Sequence, residues 1–338
     1  MTINSRPPSE VAIDEALVRA LLVEQHPDLA GLRITSTSAG WDNHLFRLGD
    51  HLAVRLPRRG LASDLILHEQ QWLPKLGPRL PLPIPVPVRM GRPGCGYPWS
   101  WSVVPWLVGE SAAVTPLRDP TATAAVLGGF LRALHQPAPG DAPRNPWRGV
   151  ALAERAPSVY ERAKLLAQQV DTIVALWEGV VRTPPWPGPA VWLHGDLHPG
   201  NILVRNGCVS AVLDFGDLTS GDPATDLSVA WMLLPPSARA AFRASSREAS
   251  NAIDDDTWMR ARGWALALGL VFLAARDDAV LTAVGRVTID AVLSDDALTD
   301  RNRGDPTGDP PSTSVERIAE AQHQDVDVAP GCRGRQRG

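Results

Sequence analysis

The chain has 338 residues, of which 44% are hydrophobic and 21% are charged. Its 33 basic and 37 acidic side chains give a formal net charge of −4. This balance argues against a nucleic-acid-binding protein, because such proteins usually carry a basic face. The length suits two domains or one bilobal domain with an ample core. Lys75 and Lys164 are the two lysines of the sequence, so any fixed cation that the protein needs is expected to be an arginine.

The sequence predicts neither export nor membrane insertion. The N-terminus has no basic stretch leading into an apolar run, so no signal peptide is expected. The longest apolar stretch, residues 263–275, is too short to cross a bilayer and is predicted to be a buried helix. Cys95, Cys208 and Cys332 are few and far apart, without the spacing of metal ligands. These features predict a cytoplasmic protein with no membrane partner.

The first hundred residues predict a small β-rich region. Residues 14–26 have leucines at helical spacing after Asp14, a residue type typical of N-caps. A second helix is predicted over 63–75. Prolines at alternate positions from 81 to 87 exclude a helix or a central strand and predict an extended connector. Strands are predicted over residues 32–36, 44–48, 51–56 and 99–104.

The pattern becomes helical after Pro105. Between the helices, residues 192–213 contain two short β-like runs on either side of Asn206-Gly207, a dipeptide typical of a tight hairpin. From about residue 301 the chain is rich in Gly, Pro, Asp and Arg, has no periodicity and is predicted to be disordered. Helices are predicted over residues 121–136, 151–181, 223–246 and 256–293.

Residues 194–217 contain the densest group of polar signals in the sequence. Asp196 precedes Asn201 by five positions, and Asp214 follows the predicted hairpin. Because the hairpin returns the chain, Asp214 is expected near the loop that carries Asp196 and Asn201. Asn201 and Asp214 could then share a divalent cation, with Asp196 beside them as a carboxylate for a hydroxyl nucleophile. This is the layout of magnesium-assisted phosphoryl transfer.

These motifs resemble the Asp-x4-Asn catalytic loop and the Asp-Phe-Gly metal motif of kinases. HGDLHPGN at 194–201 and LDFGD at 213–217 resemble the aminoglycoside/macrolide phosphotransferase family of antibiotic kinases, and GDPATDL at 221–227 is similar to the next helix start of that family. The resemblance covers roughly residues 30–295. It implies an α+β, bilobal protein-kinase-like fold with a small antiparallel β-sheet N-lobe and a mainly helical C-lobe.

The resemblance also implies domain boundaries. Residues 1–105 are expected to form the N-terminal nucleotide-binding lobe, with a hinge near 103–108. Residues 109–300 are expected to form the helical C-terminal lobe, which holds the catalytic loop and the acceptor site. Residues 301–338 are expected to be the disordered tail.

The same resemblance assigns roles in the catalytic loop. Asp196 is expected to be the catalytic base, which orients the substrate hydroxyl and accepts its proton. Asn201 and Asp214 are expected to hold Mg²⁺ on the phosphates of ATP or GTP. His194 and Asp226 are expected to brace the loop rather than to catalyse, and Asp222 is expected to cap the following helix.

The nucleotide-binding residues of the N-lobe include an unusual arginine. The family has a lysine on the third strand where this sequence has Arg55, and neither lysine of the chain aligns with that position. An arginine can also hold phosphate oxygens, in bidentate fashion. Glu69, on the next helix, matches the ion-pair partner of that cation.

Two backbone segments complete the expected nucleotide site. Residues 37–43 lie where the phosphate-covering loop belongs, and their N–H groups, with Ser38 or Asn43, are expected to contact phosphate. Residues 103–107 match the hinge between the lobes. Backbone groups of Val104 and Trp106 are expected to pair with the adenine edge, with Trp106 as the N–H donor because Pro105 has none.

The acceptor is expected to be a hydroxylated small molecule bound in the helical lobe, facing Asp196. Trp231 and Trp258 could stack on a sugar or macrolactone face, and Asp254 could meet a polycationic aminoglycoside. Core packing explains the tryptophans equally well, and Asp254 also fits a helix start, where acidic residues suit the helix dipole. The sequence therefore leaves the acceptor open.

The resulting hypothesis is an ATP- or GTP-dependent O-phosphotransferase acting on a small molecule such as an aminoglycoside or macrolide. A metabolite kinase of the same fold, for choline-like amines, homoserine or sugars, is an alternative. A metal-dependent hydrolase with His194, Asp196 and His198 as ligands is another. Arg55 in the place of lysine also raises the hypothesis of a nucleotide-binding pseudokinase.

Overall fold

An antiparallel sheet of five strands occupies the first third of the chain in the computed structural model, which describes residues 8–246 and 253–295. The strand order is β1-β2-β3-β5-β4. Gly49, with a φ of +59°, makes the tight turn between β2 and β3. The strands are β1 (Ile34–Ala39), β2 (Asn43–Leu48), β3 (Leu52–Pro57), β4 (Arg89–Gly91) and β5 (Trp101–Pro105).

Two helices pack on this sheet. Helix α1 (Glu15–Gln25) begins at Asp14, whose side chain accepts the N–H of Leu17 at 2.8 Å. Its buried leucines join a core with Phe46 and Trp101. Helix α2 (Ser63–Leu76) follows β3 directly and turns Glu69 inward. The predicted helices and strands of this region are confirmed within one to three residues at each end.

The rest of the described chain is mainly helical. Helix α9 is buried along most of its length and packs against α4, α5, α6, α7 and α10. It contains most of the apolar run predicted as a buried helix, and none of the described helices is long and apolar enough to span a bilayer. The helices are α3 (Pro120–Leu134), α4 (Ala156–Ala163), α5 (Val170–Val181), α6 (Ala224–Leu227), α7 (Val229–Leu233), α8 (Pro236–Ser245), α9 (Asp255–Leu273) and α10 (Ala279–Leu293).

Five short strands accompany these helices, one before α3 and four between α5 and α6. The predicted hairpin is confirmed: its turn residues Asn206 and Gly207 have φ values of +55° and +76°, as a type I′ turn requires. The strand before the catalytic loop pairs with a later strand that was not predicted. These strands are β6 (Glu110–Ser111), β7 (Val191–Leu193), β8 (Ile202–Arg205), β9 (Cys208–Val212) and β10 (Thr219–Gly221). The tail predicted over 301–338 lies outside the described residues.

Candidate active site

A buried aspartate holds the loop that follows β7. Asp226, on α6, is fully buried and accepts the backbone N–H of His194 at 2.8 Å and that of Gly195 at 2.9 Å. His135 contacts the same carboxylate at 3.1 Å. The expected bracing role of Asp226 is confirmed. The expected cap is also present, since Asp222 accepts the N–H of Ala224 at 3.0 Å.

The ring of His194 ties the loop to the end of β9. Its Nε2 lies 2.8 Å from the carbonyl oxygen of Leu213, which can only accept, so Nε2 carries the proton. Nδ1 then accepts the N–H of Asp196 at 3.2 Å. Both ring nitrogens serve the backbone, which is the structural role expected for this histidine.

Gly195 is required at the bend of the loop. Its φ is +86°, in the region that favours glycine, and a Cβ there would lie 2.2 Å from the backbone oxygen of Asp217. The bend directs Asp196 back towards the segment that carries Asp214 and Asp217. Loop geometry and a backbone brace therefore place this carboxylate.

Asp196 is ionised and partly exposed. Its Oδ1 accepts from Arg148 at 3.0 Å, and its Oδ2 lies 3.4 Å from Nε2 of His198. Burial alone would raise the pKa of Asp196, but the facing His198 and Arg148 outweigh it and hold that pKa below its ordinary value. The side chain keeps 25% of its surface exposed. It is thus a charged hydrogen-bond acceptor open to a ligand.

Asn201 and Asp214 present oxygen atoms to one cavity. Asn201 donates its Nδ2 to the backbone oxygen of Asp196 at 3.0 Å, which leaves its amide oxygen available. The N–H of Leu213 donates to the carbonyl of Asn201 at 2.8 Å and so brings Asp214 alongside. Asp214 has a positive φ of 57°, an uncommon conformation for a residue with a side chain.

The donor chemistry at this point fits a magnesium ion. Oδ1 of Asp214 accepts from Arg55 at 2.8 Å, whereas its Oδ2 has no hydrogen-bond partner among the described residues. The Asp214 side chain is 56% exposed. A carboxylate oxygen and an amide oxygen are hard ligands of the kind that Mg²⁺ prefers.

Arg55 is the centre of a buried ion-pair network. Its Nη1 lies 2.6 Å from both carboxylate oxygens of Glu69, and its Nη2 donates to Asp214 at 2.8 Å. Burial alone would lower the pKa of Arg55, but Glu69 and Asp214 outweigh it and raise that pKa. The guanidinium is therefore a permanent cation that links α2 to the segment after β9.

Asn43 completes the network around Arg55. With its amide oxygen turned towards the guanidinium, it accepts from Nη2 at 2.9 Å and from Nε at 3.2 Å. Asn43 also lines the cavity, so the sequence-based expectation that it contacts phosphate stays a prediction. Ser38 lies in β1, and its side chain is outside the described residues.

Neither lysine of the chain can replace Arg55. Lys75 lies over the ring of Trp72, 4.1 Å from its centroid. Lys164 pairs with Glu161 at 2.7 Å on the surface. Both observations agree with the sequence-based expectation.

A cavity of 440 Å³ runs from the sheet to the catalytic loop. Its walls come from the loop before β2, from β3, from the segment after β5 and from the two ends of the β8–β9 hairpin. The residues that close it at the catalytic end are Arg55, Asn201 and Asp214. The volume is in the range of small-molecule and cofactor sites.

The expected hinge residues line the cavity, but one role is wrong. Val104 and Trp106 both belong to its wall. The backbone N–H of Trp106, however, donates to the carbonyl of His51 at 2.7 Å. This bond extends the β3–β5 pairing by one residue, so the N–H expected to pair with adenine is already used.

Of the three residues expected to bind the acceptor, two belong to the core and the third caps a helix. Trp231 and Trp258 are 1% and 8% exposed, and their ring centroids lie 4.7 Å apart. Nε1 of Trp231 donates to Asp295 at 2.7 Å. Asp254 is the N-cap of α9, where it accepts the N–H of Thr257 at 2.6 Å. These assignments are corrected, because packing and capping already engage the three side chains.

The sequence did not predict the residues that approach Asp196 and Asp217 from the connection between α3 and α4. Arg148 reaches Asp196 from the connection between α3 and α4, and Asn145 donates to Asp217 at 2.7 Å. Burial raises the pKa of Asp217 to about 6. The connection has no periodicity or motif spacing, so no signal in the sequence marks Arg148 as part of the site.

The hydrolase alternative has no metal site in the described part of the chain. Nδ1 of His198 accepts the N–H of Gly200 at 3.1 Å, and both nitrogens of His194 are engaged with the backbone. No group of three His, Cys, Asp or Glu side chains among the described residues is arranged to hold a metal ion. The alternative in which His194, Asp196 and His198 bind a metal is therefore not supported.

Comparisons with known proteins agree with this geometry. Residues 33–264 match the phosphotransferase enzyme family (APH). The uncharacterized protein YcbJ of Bacillus subtilis (strain 168) is 48% identical over 42 residues, which make up 12% of this chain and 14% of that protein.

Solved structures show the same fold at low identity. One is the GDP and kanamycin complex of APH(2")-IIia, with a TM-score of 0.62 and 18% identity over 82% of this chain and 99% of that one. Another is macrolide 2'-phosphotransferase type I, with a TM-score of 0.54 and 20% identity over 83% of this chain and 98% of that one. At this identity the likeness shows the fold, which is the expected kinase-like fold with an antiparallel N-terminal sheet and a mainly helical remainder.

Proposed function

The chain belongs to the phosphotransferase enzyme family, and from this premise we propose that it transfers the γ-phosphate of ATP or GTP to a hydroxyl group of a small molecule. One observation carries the proposal. An ionised, partly exposed Asp196 is hydrogen-bonded through its backbone to Asn201, which lines the cavity end together with Asp214 and Arg55. A hydroxyl held by Asp196 would face a phosphoryl group held by the other three residues.

The nucleotide is proposed to lie in the cavity beneath the sheet. Its base would contact the wall formed by Val104 and Trp106, and its phosphates would point towards Arg55. Nη2 of Arg55 is held by Asp214 and Asn43, so the guanidinium is oriented before any ligand arrives. Preorganised charge of this kind stabilises a transition state without a reorganisation cost.

Magnesium is proposed as the metal of this site. The amide oxygen of Asn201 and Oδ2 of Asp214 would hold it. When bound, Mg²⁺ supplies charge neutralisation at the phosphate oxygens. Glu69 and Asp214 both contact the guanidinium of Arg55, so they share its positive charge.

Asp196 is proposed to act on the acceptor. Its lowered pKa keeps the carboxylate ionised, so that it can orient a hydroxyl and take its proton as the bond to phosphorus forms. His194 holds the loop backbone through Leu213 and the N–H of Asp196. The carboxylate therefore acts from a fixed position.

The acceptor is proposed to be a hydroxylated small molecule met in the cytoplasm. The names of the similar structures make aminoglycosides and macrolides the first antibiotics to assay, with resistance as the corresponding biological role. Sugars, sugar acids and hydroxy amino acids test the metabolite-kinase alternative on the same fold.

A nucleotide-consumption assay with this acceptor panel tests the proposal. The wild-type enzyme is expected to consume ATP or GTP in an acceptor-dependent way and to form a phosphorylated product. Asp196→Asn is expected to lose about 10²–10⁴-fold in turnover, the usual contribution of a positioned base. Asp171→Asn, at an exposed position of α5, is the matched control and should be unaffected. Nucleotide binding without transfer to any acceptor would instead favour a pseudokinase.

A further inference from the structure

Three arginines of the segment between α3 and α5 lie close enough for their charges to interact, and one of them contacts Asp196. Arg148 contacts Asp196 at 3.0 Å and Asp217 at 3.7 Å. Arg155 follows Arg148 along the chain, and Arg162 lies two helical turns after Arg155. Burial, and then repulsion from Arg148 and Arg162, lower the pKa of Arg155. We call Arg148, Arg155 and Arg162 the arginine cluster.

Arg155 is a buried cation that forms no ion pair with any described carboxylate. It is 8% exposed, and its guanidinium carbon lies over the ring of Trp147, 5.5 Å from the centroid. A buried guanidinium without an anion is costly. Three other buried arginines of the described chain have carboxylate partners, namely Arg55 with Glu69, Arg239 with Asp295 and Arg260 with Asp222, and a fourth, Arg262, donates to the carbonyl of Val292.

The other two arginines of the cluster have side-chain N–H groups without a hydrogen-bond partner among the described residues. Nε of Arg148 and Nε of Arg162 are both buried and have no hydrogen-bond partner in the described part of the chain. Arg155 is also the N-cap of α4, where no side chain accepts from the first turn. The positive end of the helix therefore adds to the same field.

We propose that the arginine cluster is an anion-binding subsite for the acceptor, and that the acceptor carries a carboxylate, phosphate or sulfate group. This inference rests on the proposed function, because the subsite matters through its neighbour Asp196. An oxyanion on the cluster would satisfy the free donors of Arg148 and Arg162 and the charge of Arg155. It would also place the rest of the acceptor beside Asp196, because Arg148 forms an ion pair with that residue.

Trp147 supplies a second surface to the same subsite. Its ring is 62% exposed while it contacts Arg155. It can therefore pack against an apolar or sugar portion of the acceptor. A polycationic acceptor, in contrast, would have to approach three guanidinium groups.

Sulfate binding tests the subsite without requiring catalysis. The protein is first saturated with Mg²⁺ and a non-hydrolysable nucleotide analogue, so that sulfate cannot occupy the phosphate position near Arg55. Wild type is expected to bind sulfate saturably, measured by calorimetry at constant ionic strength. Arg155→Gln should weaken binding at least about tenfold, which is the loss expected for a charge-assisted hydrogen bond.

Three further variants make the result specific. Arg155→Lys keeps the charge and should bind sulfate within about threefold of wild type, a difference of less than 1 kcal/mol. Arg162→Gln should weaken binding in the same direction as Arg155→Gln. Arg33→Gln, at an exposed position before β1, should have no effect. Equal sulfate affinity in wild type and Arg155→Gln, or no saturable binding in wild type, would overturn the proposal.

The acceptor panel separates this proposal from the proposed function. For an anionic acceptor, Arg155→Gln should lower kcat/KM at least about tenfold. Efficient turnover of kanamycin or another polycation, unchanged in Arg155→Gln, would overturn the anionic subsite and leave the phosphotransferase standing. Intact sulfate binding with no transfer to any acceptor would contradict the phosphotransferase and leave the subsite standing.

Discussion

Arg55 has more partners than a lysine could satisfy. Its planar fork contacts both oxygens of Glu69, one oxygen of Asp214 and the amide oxygen of Asn43. A lysine ammonium has three donors on one atom and cannot match this spread. The arginine-rich composition therefore coincides at this position with a specific geometric demand.

We expect Arg55→Lys to retain activity and Arg55→Ala to lose it. The lysine variant keeps a cation near Glu69, so kcat/KM should fall by no more than about tenfold. The alanine variant leaves Glu69 buried and unpaired, which should cost about 3–5 kcal/mol of stability and at least about 100-fold in kcat/KM.

Steady-state kinetics and urea unfolding measure both effects, with Arg33→Lys as the surface control. Wild-type kcat/KM in Arg55→Ala would show that this cation is not part of the phosphate site.

The raised pKa of Asp217 predicts that the stability of the protein depends on pH. Burial raises its pKa in the folded protein to about 6, above the value of about 3.9 expected for the unfolded chain. The folded state therefore binds this proton more tightly, and the cost of ionising Asp217 is absent below about pH 4 and complete above about pH 6.

Asp217→Asn removes the cost of ionising this residue. The variant should gain about 1 kcal/mol relative to wild type near pH 7, and this gain should disappear below about pH 4, as Asp217 becomes protonated in both states. Urea unfolding over this pH range measures the difference. A difference that does not change with pH would disprove the raised pKa.

The motif residues were predictable, whereas Arg148 was not. Asp196, Asn201 and Asp214 lie within a short run whose spacing has a chemical reason, and Arg55 and Glu69 follow from their places on a strand and the next helix. Arg148 contacts Asp196 across 48 positions of sequence. It lies in an irregular connection, where neither periodicity nor spacing indicates which side chains point inwards.

At the scale of elements, a helix or strand could be predicted where the local sequence pattern was strong. The β8–β9 hairpin follows from Asn206-Gly207, because few residue pairs adopt two positive φ angles. Strands β4, β6 and β10 have two or three residues, too few to show an alternating pattern. The helix predicted over 223–246 is divided into three, and Pro235-Pro236 separates the last two segments.

Helices α7 and α9 explain why the tryptophan expectation was wrong. Periodicity places an aromatic residue on an inward face, but it cannot distinguish a core from the wall of a site. Trp231 and Trp258 face each other between these helices. The exposed Trp147 lies beside Arg148 instead.

We expect Trp231→Phe to lower the stability of the protein and Trp147→Phe to change the KM for the acceptor. Trp231→Phe removes packed volume and the bond to Asp295, and should lower the free energy of unfolding by about 1–3 kcal/mol without changing the acceptor KM. Trp147→Phe, at an exposed position, should leave stability within about 0.5 kcal/mol. Chemical unfolding and the acceptor KM distinguish the two. A raised acceptor KM in Trp231→Phe with unchanged stability would restore the original assignment.

The catalytic loop depends on one glycine. Because a Cβ at Gly195 would collide with the backbone of Asp217, Gly195→Ala should shift Asp196 and lower kcat more than it changes nucleotide affinity. Gly140→Ala, where a Cβ meets no atom within 4 Å, is the matched control. Wild-type kcat in Gly195→Ala would mean that the loop accommodates the added methyl group without moving the carboxylate.

At the scale of the whole molecule, the site joins parts that are distant in sequence. Arg55 comes from the sheet, Asp214 from the end of the hairpin and Arg148 from the connection between helices. The Arg55–Asp214 ion pair links the sheet to the end of the hairpin, and the Arg148–Asp196 ion pair links the connection between helices to the catalytic loop. We assign Asp214 to the nucleotide side of this junction and Asp196 to the acceptor side.

A comparison of Asp196→Asn with Asp214→Asn tests that division most directly. Affinity for the Mg²⁺-nucleotide complex and single-turnover transfer are measured for both variants. We expect Asp196→Asn to bind nucleotide within about threefold of wild type but to transfer at least about 100-fold more slowly, whereas Asp214→Asn should lose at least about tenfold in nucleotide affinity as well. Equal losses of nucleotide affinity in the two variants would contradict this division.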